Sequence, residues 1–348
     1  MRVDDFDFDL PEELIALRPV NPKHSARQLV VNAPNSNGFI DQKVWEFPDF
    51  LTSKDLIVFN DTKVIPSYLF ATRGEMVTEV NLHKRLSPVS WLAFAKKTKR
   101  LKIEDQLSFG DGRLSATIQE KHDGGEILLN FDVKAGDLES VLAEIGMMPL
   151  PPYIASKRDV DERDRDDYQT MFAAREGAVA APTASLHFTP ELMEKISAKG
   201  IKTAKVTLHV GAGTFLPVKV EDTNDHKMHA EWGNVSDDVA ELINGTHKNG
   251  GRVVAIGTTV LRILESASDG QGKIHPFSGD TSIFITPGYR FRCVNMLMTN
   301  FHLPKSTLFM LVCAFAGTET MKSAYDYAVR QGYRFYSYGD SSLLFQGN

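Results

Sequence analysis

Hydrophobic positions change rhythm three times along this chain, and each rhythm predicts a different kind of structure. RQLVVN (27–32) and DLIVFN (55–60) are short apolar runs with strand character, preceded by a short helix signal from Pro11 to Leu17. Between Tyr68 and Phe131 the pattern becomes a series of brief alternating segments: TEVNLHKRL, SWLAFA, QLSFG, RLSATIQE and EILLNF. Turn signals at Gly74, Pro88, Asp111-Gly112 and Gly124-Gly125 separate them, which predicts a small antiparallel sheet or barrel.

A helix near Asp137 to Gly146 leads into the proline-rich MMPLPPYI, a domain boundary by composition, and then into the charged run Ser156 to Thr170, read as a solvated linker or helix face. From Leu186 onward helices and strands alternate. Thr189, Pro190 and Glu191 supply an N-cap, a first-turn proline and a first-turn acid, and Gly200 closes that helix. Strands are predicted at 201–210, 252–257, TSIFIT (281–286) and YRFYSY (333–338), with helices at 236–248, 258–267, 306–316 and 318–331. The expected fold is therefore α/β, a mixed sheet covered by helices. Because the N-terminal part shares this texture and the middle does not, residues 1–66 and 150–348 are expected to form one discontinuous domain and 67–149 an insertion in it.

Composition narrows the class. With 348 residues, 42% apolar and 24% charged, the chain is ordinary globular protein of about two domains. Its net charge of −6 excludes a protein basic all over, although a local basic face suffices to meet phosphates. Cys293 and Cys313 form no CxxC pair and are too few for a disulfide framework. The acidic start lacks an apolar signal core, and the longest apolar stretch, Leu308 to Gly317, is too short for a bilayer span, so a cytoplasmic location without membrane contact is expected.

No GxxxxGK[ST], HExxH or GxSxG occurs, and GAGTFL (211–216) lacks the third glycine of a dinucleotide loop. Candidate chemistry lies instead where strands end. His209 is followed by Gly211 and Gly213, which let backbone approach a ligand. Gly257, Thr258 and Thr259 sit at a strand-to-helix turn whose free N–H groups suit an anion, and a tight turn with a helix cap is the alternative. His187, His209, His226 and His229 crowd into 185–231, with His302 in another polar segment; all are acid, base or anchoring candidates. HKMHAE has HxxH spacing but implies no strong third ligand, so no metal site is read. Lys84, Arg85, Lys96, Lys97, Lys99, Arg100 and Lys102 form an acid-free stretch with Trp91 and Phe94 interleaved, either a solvated strand edge or a phosphate-tracking face. A second acid-free stretch carries Arg290, Arg292 and Lys305 beside aromatic residues.

In order along the chain, FNDTKVIPS, AVAAPTASLHFT, VTLHVGAGTF, HKMHAE, AIGTTVLRILESA, PGYRF, TNFHLPKSTL and YSYGD resemble the S-adenosylmethionine:tRNA ribosyltransferase-isomerases of queuosine synthesis, from MRVDDFDFDLP to the last strand. The resemblance implies an α/β domain carrying an inserted antiparallel β-barrel. It implies a tRNA bearing 7-aminomethyl-7-deazaguanine at the wobble position, and S-adenosylmethionine as ribosyl donor and co-substrate, with no tightly bound cofactor. The products it implies are epoxyqueuosine in tRNA, adenine and methionine; a monomer is expected. Lys63 and Tyr68 stand where the family usually has arginine, and Ser185 where it usually has glycine, a serine that strains the backbone if positive φ is required there.

That chemistry calls for a base at C5′, next to the sulfonium, and for an acid. His187, His209, His229 and His302 are the candidates, with Asp61 or Glu231 to orient one of them or hold the substrate amine. Gly211, Gly213, Thr258 and Thr259 are expected at the S-adenosylmethionine pocket, with Arg262 or Lys305 on the methionine carboxylate or an RNA phosphate. Lys63, Lys96, Lys97, Lys99, Arg100, Arg290 and Lys305 are expected to face tRNA. Phe188, Phe215 and Phe301 are candidates to stack on a base. An S-adenosylmethionine-dependent RNA methyltransferase and a non-catalytic RNA-binding module are the rival classes. The first lacks its glycine-rich loop here, and the second leaves the polar glycine and histidine segments without a role.

Overall fold

A computed structural model describes residues 1–134, 136–211, 218 and 220–347. The strands are β1 (Arg27–Val31), β2 (Ile40–Lys43), β3 (Leu56–Asn60), β4 (Thr62–Val64), β5 (Tyr68–Arg73), β6 (Met76–Arg85), β7 (Ser90–Ala95), β8 (Gln106–Phe109), β9 (Leu114–Lys121) and β10 (Glu126–Phe131). They continue as β11 (Arg175–Ala178), β12 (Lys202–Leu208), β13 (Glu231–Val235), β14 (Val253–Ile256), β15 (Phe277–Thr281), β16 (Met296–Asn300) and β17 (Ser341–Phe345). The helices are α1 (Leu138–Ile145), α2 (Pro152–Ala155), α3 (Asp164–Asp167), α4 (Pro190–Ala198), α5 (Asp237–Lys248), α6 (Thr258–Ala267), α7 (Thr307–Ala316) and α8 (Thr318–Arg330).

Nine of the described strands form one mixed sheet in the order β15-β13-β12-β3-β14-β16-β17-β1-β2. β12, β3, β14 and β16 run parallel to one another, whereas β17 is antiparallel to β16 and parallel to β1. The two-residue period of a strand places core on both faces of its centre. Leu56 and Val58 of β3, with Val253 and Ala255 of β14, pack under α5, α6, α7 and α8. Their neighbours Ile57, Phe59, Val254 and Ile256 pack under α4 and the 3₁₀ segment Val44–Phe50. Each of the leucine, valine, isoleucine and phenylalanine side chains contributes about 1.5–3 kcal/mol through burial, so the unbroken apolar runs are what the centre of this sheet requires.

β5 to β10 close on themselves as an antiparallel barrel in the order β10-β7-β6-β5-β8-β9. Alternate residues such as Leu69, Val80, Leu82, Trp91, Ile118 and Leu129 fill it, and Leu138 and Leu142 of α1 add to the same core. The α4 cap forms as read, with the Leu192 N–H donating to Thr189 Oγ1 at 3.4 Å.

Four expectations need correction. Pro11 to Leu17 contains only the single 3₁₀ turn Glu12–Leu14. Of TSIFIT only Thr281 is in a strand, because β15 spans Phe277–Thr281. YRFYSY alternates like a strand yet is a turn, with Tyr333, Phe335 and Tyr338 buried and the Asp340 N–H donating to the Arg334 carbonyl at 2.7 Å. Its alternation reflects aromatic packing, and the true last strand follows it at Ser341–Phe345. Finally, the run 156–170 is not uniformly solvated. Asp164 is fully buried and accepts from Arg158 at 2.7 and 2.8 Å, from Arg18 at 2.7 Å and from the Asp161 N–H at 2.9 Å. Charge density alone does not reveal that Asp164, with Asp161 and Asp167, pairs with Arg158 and Arg18.

Candidate functional site

Ligands of open parallel sheets bind beyond the carboxyl ends of the strands, and here β3, β12, β14 and β16 end together. Asn60 ties two of these ends: its amide donates to the Leu208 carbonyl at 2.9 Å and to Thr259 Oγ1 at 3.3 Å, and its side-chain oxygen accepts from the N–H groups of Leu208 and Thr62, each at 3.1 Å. Gly257, at φ +90, turns the chain from β14 into α6, a conformation open to glycine and strained for other residues. Above these ends lies a small pocket of about 60 Å³ that opens to solvent.

Its wall combines apolar residues (Ala180, Ala181, Pro182, Ala184, Val210, Phe301, Leu308) with polar ones (Thr183, Thr258, Thr259, Thr299, Asn300, His302, Tyr336, Ser337). Thr258 and Thr259 belong to the first turn of α6, where backbone N–H groups have no helical acceptor. Among the described residues the wall carries no carboxylate, and His302 and Tyr336 are its titratable side chains. Thr299 Oγ1 lies 3.1 Å from His302 Nε2, while the Tyr325 hydroxyl accepts from the His302 backbone N–H at 3.0 Å. Burial pushes the His302 imidazole down to about 3. His187 lies behind the wall, its Nε2 3.3 Å from the Asn300 amide, and burial pushes it down to about 4. Both rings are neutral at pH 7.

These two histidines make stability pH-dependent. In the unfolded chain each takes up a proton near its ordinary value of 6.5, whereas the folded protein resists protonation until about 4 or below. Stability present above pH 6.5 is therefore lost as pH falls, by about 1.4 kcal/mol per pH unit for each ring. Urea unfolding at pH 7.5, 6 and 5 should show this decline. Equal stability at pH 7.5 and 5 would mean that the rings are protonated freely in the folded state.

The other sequence candidates are dispersed. His209 does not line the pocket: its Nδ1 faces Thr62 Oγ1 at 2.8 Å and its ring stacks on Trp232 at 5.2 Å. Burial lowers its pKa, and nearby Asp61 partly opposes this. A Cβ on Gly177, whose φ is +145, would come within 2.8 Å of the His209 ring, so this close approach needs glycine. Asp61 accepts from the Thr207 hydroxyl at 2.6 Å. His229 is exposed, close enough to the barrel for its charge to act on His83. Glu231 accepts the Gly211 N–H at 3.0 Å and binds the buried Arg262 guanidinium, so neither presents a free charge to the pocket. Arg262 does not line this pocket, and its buried Nε and Nη2 have no hydrogen-bond partner among the described residues. Gly213 and Phe215 lie outside the described residues.

Lys305 is engaged at 3.1 and 3.0 Å by Asp4 and Asp7, Lys63 at 2.8 Å by Glu176, and Lys96 at 2.7 Å by Glu79. Lys97 donates to the Val77 carbonyl at 2.9 Å, and it lies with Lys99 and Arg100 around one open depression on the barrel. Arg290 is exposed. Tyr68 donates to Glu79 at 2.5 Å, which its arginine counterpart would not need in order to carry charge. Ser185 is not among the positive-φ residues, so it is unstrained, although its buried hydroxyl has no partner. Phe188 packs on Phe47, Phe59 and Phe172 as core, whereas Phe301 both joins the aromatic core and reaches the pocket wall.

Asn60, Thr183, Asn300, Tyr336 and Ser337 were not singled out from sequence. Each lies within or beside a stretch that carried the resemblance. Only Tyr336 has a local mark in the structure, a φ of +76 that is costly for an aromatic residue.

Across residues 3–344 the chain matches the family model described as queuosine biosynthesis protein. It is 56% identical over 364 residues to the S-adenosylmethionine:tRNA ribosyltransferase-isomerase of Caulobacter vibrioides, covering 99% of both chains. To the enzyme of the same name from Brucella ovis it is 57% identical over 355 residues, 99% of this chain and 97% of that one. The crystal structure of S-adenosylmethionine tRNA ribosyltransferase from Thermotoga maritima, 31% identical, aligns with a TM-score of 0.55 over 97% of this chain and 99% of its own.

Proposed function

The chain belongs to the queuosine biosynthesis family, and from that premise we propose that the pocket at the ends of β3, β12, β14 and β16 is where the family's reaction takes place. The protein is an S-adenosylmethionine:tRNA ribosyltransferase-isomerase. It transfers and isomerises the ribosyl moiety of S-adenosylmethionine onto 7-aminomethyl-7-deazaguanine at the tRNA wobble position, giving epoxyqueuosine in tRNA, adenine and methionine. Full-length identity of 56% to a named enzyme carries this conclusion.

In the proposed site His302 is the base. The pocket wall offers no carboxylate for the task, and the His302 Nδ1 has no partner among the described residues. A buried imidazole accepts a proton reluctantly, because charging it costs desolvation. With S-adenosylmethionine bound, however, the pocket already holds the sulfonium's positive charge. Moving the C5′ proton to His302 leaves the electron pair on the carbon beside sulfur and relocates that charge instead of creating a second one. Thr258 and Thr259 hold the cofactor-like part of the substrate from the α6 terminus, and His187 acts through Asn300 as a positioning group. His209, His229, Asp61 and Glu231 are assigned to the surrounding framework, with Glu231 and Arg262 fixing the Gly211 backbone.

The barrel, with its boundaries at 67 and 149, is proposed as a domain inserted into an α/β domain of 1–66 and 150–348, and its Lys96, Lys97, Lys99 and Arg100 as a tRNA phosphate contact. Lys63, Arg290 and Lys305 are proposed as weaker contributors, because they lie outside the barrel cluster. The working form is proposed to be a cytoplasmic monomer without a resident cofactor. Replacing the four barrel cations by glutamine should weaken tRNA binding and reduce the slope of log affinity against log salt by about 3, following ~0.7 to 0.9 per phosphate contact. An unchanged slope would make this face a solvated strand edge.

The decisive experiment is incubation with S-adenosylmethionine and tRNA carrying 7-aminomethyl-7-deazaguanine, with nucleoside mass spectrometry and an assay for adenine. Adenine release with a ribosyl-sized mass gain supports the reading. A methyl-sized gain, or intact tRNA binding with no product, would overturn it.

A further inference from the structure

A cleft of about 470 Å³ opens to solvent between the 3₁₀ turn Glu12–Leu14 and α2, lined by Glu13, Ile15, Leu17 and Tyr153 among others. Its size is that of a small-molecule site. We infer that this cleft receives the wobble base of the tRNA, stacked on Tyr153 with its Watson–Crick edge held by Glu13. The inference rests on the function proposed above and adds to it a place for the second substrate.

The cleft adjoins the main pocket across residues 335–337. Tyr336 and Ser337 line the pocket. On the cleft side the Leu14 carbonyl accepts the Phe335 N–H at 2.7 Å, and the Phe335 carbonyl accepts the Ala16 N–H at 3.2 Å. Tyr153 completes this shared wall. Its ring meets that of Tyr336 edge-on at 4.0 Å, and its hydroxyl accepts the Ser337 N–H at 3.1 Å. A base against Tyr153 is therefore next to the pocket in which the ribosyl group is proposed to react. Tyr336, whose φ of +76 is costly, links the two cavities.

Charge and shape select the ligand. Glu12 is bound to Lys157, whereas the Glu13 carboxylate has no ion pair or hydrogen bond among the described residues. A carboxylate only accepts hydrogen bonds. A 7-deazaguanine presents adjacent N1–H and N2–H donors on its Watson–Crick edge, and the aminomethyl group adds positive charge. A phosphate or a substrate carboxylate presents acceptors alone and is repelled. Adenine sets the lone pair of N1 beside its amino group, so it meets a carboxylate with one donor instead of two. Ile15 and Leu17 supply apolar surface beside the Tyr153 ring, and unpaired RNA bases are read in this way, by stacking on an aromatic side chain with hydrogen bonds to the base edge. C7 lies across the ring system from N2, so a grip on that edge leaves the aminomethyl arm directed away from Glu13. The cleft's open mouth leaves room for the sugar-phosphate chain on which the base is carried.

The test compares equilibrium binding of two tRNAs, with guanine or hypoxanthine at the wobble position, to the wild-type protein and to Glu13→Ala. Hypoxanthine lacks the 2-amino donor, and Glu13 is exposed, so the substitution leaves the fold intact. Wild type should bind the guanine-bearing tRNA about 10-fold or more tightly, as a charged hydrogen bond provides. Glu13→Ala should lose most of that preference, with the KM for S-adenosylmethionine unchanged. Wild-type protein that releases adenine with the modified tRNA but binds both tRNAs equally would overturn this inference alone. A preference that survives in Glu13→Ala would also overturn it, by putting guanine recognition elsewhere. A variant that raises the KM for S-adenosylmethionine and keeps the preference would overturn it in favour of the adenosyl group. Wild-type protein that releases no adenine with the modified tRNA would overturn the proposed function, and this inference with it.

Discussion

Replacing His302 by asparagine is expected to slow adenine release by a factor on the order of 10² to 10⁴, the usual worth of a positioned acid or base. Asparagine keeps a polar group near Thr299, whose hydroxyl lies 3.1 Å from the imidazole, so the pocket is not left with an orphaned donor. S-adenosylmethionine affinity should change little, because the loss concerns a proton transfer and not ground-state contacts. Single-turnover adenine formation at saturating substrate measures the effect directly. Since burial pushes the His302 imidazole down to about 3 in the free protein, wild-type turnover should show no limb from its protonation between pH 6 and 8. A variant within about threefold of wild type would remove His302 from the chemistry.

For Asp164→Ala the expected loss is of folding stability, about 3 kcal/mol in urea unfolding. The carboxylate is fully buried and binds Arg158 and Arg18. Alanine strands the Arg158 guanidinium, which is only 18% exposed, leaves Arg18 with Asp161 and Asp167 alone, and deprives the Asp161 N–H of its acceptor. Removing one member of a buried ionic cluster costs more than the cluster contributes, because the remaining charges stay desolvated. A loss below about 1 kcal/mol would place this group with ordinary surface pairs.

The contrast between Asp164 and its charged neighbours indicates what sequence conveys and what it withholds. Strand β3 and strand β14 were legible because burial on both faces demands unbroken apolar runs, and α4 because Thr189 and Pro190 are local signals with local partners. YRFYSY misled because alternation records which side chains are buried, and a turn packed with aromatics buries them at the same spacing. In the site, Thr258, Thr259 and His302 were legible from their places at element ends. Arg262, Lys63 and Lys305 were legible only as charges. Their partners Glu231, Glu176 and Asp4 lie far away in sequence, and nothing local announces such pairings. Asn60 and Ser337 carry no signal of type or spacing, and only the meeting of strand ends gives them a function.

The position of β17 in the large sheet has a consequence for synthesis on the ribosome. β1 and β2, near the N-terminus, join the sheet only through β17, with Gln28 opposite Ser341 and Val31 opposite Leu344. The barrel strands, by contrast, have all their partner strands between Tyr68 and Phe131, with one further bridge from Tyr68 to Met147. A nascent chain thus completes its barrel early, while residues 27–43 wait for nearly the whole polypeptide to emerge before they dock. Translation that stalls after α8 would release a folded barrel attached to a sheet with an open edge at β16, a species exposed to edge-to-edge association.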